Sequence, residues 1–275
     1  MGRITWLASY PKSGNTWLRV FLANYCNNLP RPFDINDLPY FSQGEMAAGL
    51  YEKVSKKRVV DMTTEELQRL RPKVHHIIAS FDHRPNFVKT HNAIAMLFDV
   101  PTITSKVTKS AVYVIRNPLD IVTSYADHFG RTIDETIEQM GSSGNRTSTT
   151  EKLVFQYLAS WSDHVRSWTE APGLNAHVVK FEDMLERQTA TFALVVDYLA
   201  LPPDDEKLHR AIRYSSFSEL RAQEESRGFY ERSRNSGAFF RSGRVGQWRE
   251  TLSSGQIDAI VARHGDVMSK YQYLP

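Results

Sequence analysis

The chain has 275 residues, 41% of them hydrophobic and 24% charged, which are the proportions of an ordinary globular protein and not of a disordered one. Its 34 lysines and arginines barely outnumber 31 acidic side chains, and a net charge of +3 gives no reason to expect a nucleic-acid partner. Any anion chemistry must therefore come from where the basic residues sit.

Residues 3–9 form a β-like run whose apolar stretch is too short for a signal peptide or a membrane span. Trp6 stands where an N-myristoylation start needs Ser or Thr, so the chain is expected to be cytoplasmic. The run leads into Tyr10-Pro11-Lys12-Ser13-Gly14-Asn15-Thr16. Beyond it Trp17, Leu18, Phe21, Leu22 and Tyr25 repeat at helical spacing, giving strand, loop, helix. Cys26, the single cysteine, follows this apolar face; it permits no internal disulfide and is expected to be a buried structural thiol in a reducing compartment. A second strand over 86–89 ends at Thr90-His91. A third over 111–115 meets Arg116-Asn117-Pro118, where Asn117 suits an N-cap and Pro118 a first helical turn, predicting a helix past Ser124. Val154, Tyr157, Leu158, Trp161, Val165 and Trp168 share one helical face and predict a core-packed helix. A fourth strand over 177–181 precedes a helix with Phe192, Val195, Val196 and Leu199 on one face, stopped by Pro202-Pro203. Strands alternating with helices argue for one α/β domain over 1–275, with a mostly parallel sheet covered on both faces. Segments 141–150 and 227–246, rich in Gly and Ser, are expected to be mobile.

Four polar clusters fall at strand ends. The loop holding Lys12, Ser13, Gly14, Asn15 and Thr16 precedes a helix, where backbone N–H groups and the helix dipole favour a phosphate or sulfate. It is not a Walker A loop, because lysine precedes its glycine and no earlier glycine is present. Arg116, at a strand's carboxyl end, offers a planar fork for a phosphate dianion, and Ser124 adds a helix-borne hydroxyl. In Phe240-Arg241-Ser242-Gly243-Arg244-Val245-Gly246-Gln247-Trp248 the glycines let backbone approach a ligand over which arginines can close. Lys89-Thr90-His91 places a histidine beside a lysine, a credible general base. Each cluster alone also suits a plain turn, a surface ion pair or a solvated basic loop.

Taken together and in chain order, the four resemble the PAPS-dependent sulfotransferases (PAPS is 3'-phosphoadenosine 5'-phosphosulfate). The stretch from Tyr10 to Trp17 is similar to the family's 5'-phosphosulfate loop, and Arg116 with Ser124 to its 3'-phosphate pair. Arg241, Ser242 and Gly243, with Gly246 and Trp248, resemble its late clamp. Lys89-Thr90-His91 resembles the segment of its catalytic histidine, Phe181-Glu182-Asp183-Met184 its aromatic-Glu-Asp-Met step, and Ser215-Ser216-Phe217 the residues lining adenine. Phe181 stands in place of the usual tyrosine and Ser242 in place of a second basic residue. The short dimerisation motif is degenerate in 249–258, and the opening resembles compact bacterial members.

The resemblance implies a P-loop-like three-layer domain with a central sheet flanked by helices. It also implies in-line transfer of a sulfuryl group from PAPS to a hydroxyl or amine of a small molecule or natural product, leaving 3',5'-ADP, with no metal required. His91 would take the acceptor proton, Lys12 would neutralise the leaving phosphate oxygen, and Lys89 would assist. Trp17 and Phe217 would flank adenine. The acceptor would meet segments 30–51, 81–85, 129–150 and 227–239. Two other readings remain, a P-loop nucleotide kinase or NTPase and a non-catalytic nucleotide-binding module.

Overall fold

A computed structural model describes residues 3–82, 85–233, 235–241 and 243–275. Among the described residues seven strands form: β1 (Ile4–Ser9), β2 (Gln43–Gly44), β3 (Asn86–Thr90), β4 (Met96–Leu97), β5 (Val100–Pro101), β6 (Thr108–Ile115) and β7 (His177–Lys180). Five make one sheet in the order β2-β3-β1-β6-β7, with β1 and β2 both parallel to β3, while β4 and β5 pair as a separate small hairpin. The helices up to the middle of the chain are α1 (Asn15–Asn27), α2 (Leu38–Phe41), α3 (Ala48–Ser55), α4 (Thr64–Ser80), α5 (Pro118–Phe129) and α6 (Ile133–Gly141). After them come α7 (Trp161–Thr169), α8 (Phe181–Glu186), α9 (Gln188–Tyr198), α10 (Asp205–Tyr214), α11 (Phe217–Arg227), α12 (Trp248–Thr251) and α13 (Ser254–Lys270). This is the central parallel sheet with flanking helices that the alternating pattern predicts. Among the described residues no helix is long and apolar enough to cross a membrane.

The chain divides into two compact units. The first comprises Met1–Tyr10, Ser42–Tyr113 and Gln139–Val178, and the second Pro11–Phe41, Val114–Glu138 and Val179–Pro275. The first unit carries the sheet, and β6 and β7 pass into the second at their last two residues. All six residues of β1 are buried, as a strand covered on both faces requires. Trp6, Trp161 and Trp168 are fully buried, and the indole N–H of Trp168 donates to the Asn92 carbonyl at 2.9 Å.

The helical face predicted over 154–168 is half wrong, since α7 starts only at Trp161. Residues 154–159 satisfy their backbone elsewhere: Val154 N–H donates to Met46 O, Tyr157 N–H to Asn92 Oδ1, and Leu158 and Ala159 N–H to Asn145 O. Ala159 then turns at φ 55°, and Ser160 caps α7 by accepting from Asp163 N–H. Segment 141–150 is irregular but knitted to this stretch, with Thr147 N–H donating to Gln156 O and Thr150 N–H to Leu153 O.

In the second unit α1 packs its apolar face into an aromatic cluster. Phe21 stacks on Phe192, and Trp17 meets Phe181 and Phe192 edge-on. Cys26 is half-buried beyond it, and burial pushes its thiol up to about 11, which disfavours the thiolate that a nucleophile needs. The described residues of 229–246, none of them in a helix or strand, are held by carboxylates. Glu231 accepts both contacts from the buried Arg19, Glu224 accepts from Phe239 and Phe240 N–H, and Asp120 accepts from Gly246 N–H at 2.8 Å. Composition suggests mobility there, yet these bonds tie its described residues at several points.

Candidate active site

The second unit assembles most of the predicted nucleotide residues. Gly14 is the N-cap of α1 at φ 102°, with no side-chain cap and no acidic residue in the first turn, so the helix N-terminus keeps its positive end unopposed. A Cβ on Gly14 would lie 2.5 Å from Phe181 Cδ2, so only glycine lets the loop rest on that ring. Lys12 is itself left-handed at φ 67°, the kind of strained backbone found at functional loops. Its ammonium lies 4.2 Å from the centre of the Phe239 ring and 3.5 Å from His128 Nδ1.

Arg116 is 9% exposed and lies over the Phe181 ring, 4.3 Å from its centre. It donates through Nη1 to the Lys12 carbonyl at 3.1 Å and through Nη2 to the Arg244 carbonyl at 3.5 Å. Burial lowers its pKa from the ordinary arginine value, against the pull of Asp120 and Glu182, and it stays cationic. The side chain of Asn117 caps α5 by accepting from Leu119 N–H, as its sequence predicts. Among the described residues, the buried Ser13 Oγ, Trp17 Nε1 and Arg116 Nε have no hydrogen-bond partner. Leaving such atoms unsatisfied costs about 1–3 kcal/mol each, so their gathering around one loop and one arginine marks a polar ligand's place. A phosphorylated nucleotide, with an aromatic face and several acceptor oxygens, fits that set.

The remaining positions are mixed. Asn15 and Thr16 are buried in the first turn of α1, and Ser124 is half-buried on α5, four residues beyond Asp120 on the same face. Gly243, at φ 59°, brings backbone onto Phe217, whose Cδ2 would stand 2.5 Å from an added Cβ. Arg241 is half exposed and 3.7 Å from Asp127 Oδ1. Ser216 is the N-cap of α11, its hydroxyl accepting from Glu219 N–H. Ser242 lies outside the described residues.

The first unit holds Lys89 and His91. Lys89 is half-buried at the end of β3, and its carbonyl accepts from Glu45 N–H. The Nδ1 of His91 lies 2.8 Å from the Ser9 carbonyl, which can only accept. Nδ1 therefore carries the proton and the lone pair falls on Nε2, the tautomer of a general base. His164 Nε2 donates to the His91 carbonyl at 3.0 Å, and burial holds His164 neutral, its pKa lowered to about 4. The tyrosine hydroxyl of Tyr113 bonds its other nitrogen at 2.8 Å.

Sequence reasoning passed over Glu45, inside a segment expected to meet the acceptor. It is fully buried, accepting from Arg71 Nη1 at 2.6 Å, Thr90 Oγ1 at 3.1 Å and the Asn92 amide, and so grips both neighbours of His91. Asp120 was also missed. Its signal was an acid one helical turn after Arg116.

A strand, loop and uncapped helix start beside a buried arginine, on a parallel α/β sheet, fit an enzyme of group transfer from a phosphorylated donor. The sulfotransferase domain family matches residues 3–272, and the chain belongs to that family, the PAPS-dependent sulfotransferases, whose reaction is transfer of a sulfuryl group. Sulfotransferase 1 family member D1 of Mus musculus is 23% identical over 265 residues, 92% of this chain and 79% of the relative. Sulfotransferase 2A6 of Rattus norvegicus is 26% identical over 188 residues, 64% of this chain and 61% of the relative. Retinol dehydratase, solved with retinol and PAP (3',5'-ADP), superposes with a TM-score of 0.66 at 18% identity, over 98% of this chain and 82% of that one. Mouse sulfotransferase SULT7A1, solved with PAP, gives 0.60 at 18%, over 98% and 88%. At these identities the structural likeness is one of fold.

Proposed function

We propose that the chain works as a single sulfotransferase domain that takes the sulfuryl group from PAPS and passes it to a hydroxyl or amine of a small molecule or natural product. In the reaction the acceptor oxygen or nitrogen forms a bond to sulfur as the bond from sulfur to the phosphate oxygen breaks, releasing 3',5'-ADP. His91 Nε2 receives the acceptor's proton, and the Ser9 carbonyl keeps the ring in that tautomer. Lys12 and the N–H groups opening α1 meet the negative charge gathering on the leaving phosphate oxygen. Lys89 shares that work at the transferring group. Arg116, Ser124, Arg241 and Gly243 hold the 3'-phosphate, and Trp17, Phe181 and Phe217 offer aromatic surface to adenine. The PAP in the two solved relatives supports this donor. The retinol bound beside PAP in retinol dehydratase supports a small-molecule acceptor without naming one.

The observation that carries the reading is the set of unsatisfied buried atoms at Ser13, Trp17 and Arg116. Calorimetry with 3',5'-ADP and 5'-AMP tests it on wild type and Arg116→Ala. Wild type should prefer 3',5'-ADP by about ten- to a hundredfold, one charge-assisted hydrogen-bond partner's worth, and Arg116→Ala should lose that preference. Equal affinity of wild type for both nucleotides would remove the donor-site reading. Labelled PAPS with an acceptor library, read by mass spectrometry, then identifies the acceptor class.

A further inference from the structure

The chain's last residues reach the donor site through a carboxylate. Glu182, the second residue of α8, accepts from the Asn117 backbone N–H at 3.0 Å through Oε1, and from the Tyr273 hydroxyl at 2.8 Å through Oε2. Asn117 is the residue after Arg116 and the N-cap of α5, so its backbone fixes where the arginine leaves the strand. Phe181, immediately before Glu182, supports the Arg116 guanidinium with its ring. Glu182 thus sets two of the supports of one arginine.

Tyr273 is 5% exposed although it lies two residues from the end of the sequence. Lys180 secures it twice, by donating from Nζ to the Tyr271 carbonyl at 2.6 Å and by placing that ammonium 5.2 Å from the centre of the Tyr273 ring. A cleft of about 280 Å³ borders Asn117, Asp120, Lys180, Glu182, Trp248 and Tyr273. The carboxylate borders this cleft, where the bonds from Asn117 N–H and the Tyr273 hydroxyl hold it. Burial pushes the Glu182 carboxyl up; the N–H groups of Asn117 and Glu182, the Tyr273 hydroxyl and the charge of Arg116 oppose it and favour the charged form.

We infer that Tyr273 is a positioning residue for the 3'-phosphate site, acting through Glu182 on Asn117 and Arg116, so that the carboxyl-terminal tail belongs to the donor-binding machinery. The inference rests on Arg116 being the 3'-phosphate ligand. Its action falls first on the part of the site that separates 3',5'-ADP from 5'-AMP, because the bonds it sets are those of Glu182 to Asn117 and Tyr273.

Tyr273→Phe keeps the ring over Lys180 and removes only the hydroxyl. Calorimetry should find 3',5'-ADP binding weakened about tenfold, the loss of one hydrogen bond to a charged group, with 5'-AMP affinity changed by less than about twofold. Glu182→Gln, which keeps an acceptor for Asn117 N–H but removes the charge facing Arg116, should weaken 3',5'-ADP selectively and at least as much. Tyr273→Phe with unchanged 3',5'-ADP affinity, in a background where wild type prefers that nucleotide, overturns the inference. Equal weakening of both nucleotides also overturns it, because that is the mark of general loosening. Wild type without any preference overturns the donor-site reading itself, and that result is read before either variant is made.

Discussion

Glu45→Gln should be the most damaging isosteric change in the first unit. The carboxylate and Arg71 are both 0% exposed, and the side chain accepts from Arg71, Thr90 and Asn92 with His75 Nε2 3.7 Å away. Glutamine removes the charge and turns one acceptor oxygen into an N–H₂ facing groups that donate. Arg71 keeps its bonds to Gln68 Oε1 and the Phe155 carbonyl but becomes an uncompensated buried cation. Breaking a buried pair in this way costs about 3–5 kcal/mol. At about 2–4 °C per kcal/mol for a domain of this size, the melting temperature should fall by about 6–20 °C. The pH dependence gives an independent readout. Burial alone would raise the Glu45 carboxyl, but Arg71, His75 and Thr90 prevail and hold it at about 2, below its ordinary value of 4.5. The pair's stabilisation is therefore complete above about pH 4.5 and is lost as pH falls from there toward 2, so wild type should lose more stability across that window than Glu45→Gln. Thermal melts at neutral pH and down to pH 3 decide the matter. A variant melting within 1 °C of wild type, or one with the wild-type acid response, would refute the reasoning. Because Thr90 and Asn92 flank His91, turnover of the folded variant should fall as well.

Two further outcomes follow from the site. His91→Ala should lose about 10²–10⁴ in transfer rate while 3',5'-ADP affinity stays intact; a folded variant turning over within a few-fold of wild type ends the general-base assignment. Gly14→Ala should destabilise by about 1–3 kcal/mol from crowding Phe181, with added backbone strain at φ 102°. Adding Phe181→Leu should return the crowding part only, and an unchanged melting temperature for the single variant would contradict the close approach.

The parts of the fold legible in the sequence are those written locally. The β1 run, the helical face of α1 and the Asn117-Pro118 start of α5 each fit within a dozen residues, and all three form as their patterns predict. The site's loop and arginine are legible for the same reason, since each sits at a strand end. Glu45 in the turn after β2, Arg71 on α4 and Thr90 on β3 lie far apart in the chain, and no periodicity announces that a lone acid will be buried against a helix-borne arginine. The partner of Glu182 lies 91 residues away at Tyr273. The residues of 154–160 keep helical spacing, yet tertiary hydrogen bonds to Met46, Asn92 and Asn145 outcompete the helix.

The polypeptide passes between the two compact units five times, at 10/11, 41/42, 113/114, 138/139 and 178/179. Neither unit can therefore be expressed as a continuous fragment, and no single cut releases one from the other. A protease opening the exposed Ser142-Ser143-Gly144 turn would leave pieces that each hold strands or helices of both units. The first unit's own hydrogen bonds, among them Val154 to Met46 and Trp168 to Asn92, run across that cut. Such a nick should pass unnoticed in gel filtration and declare itself only under denaturing electrophoresis, so a preparation judged intact by its native size alone can already be two chains.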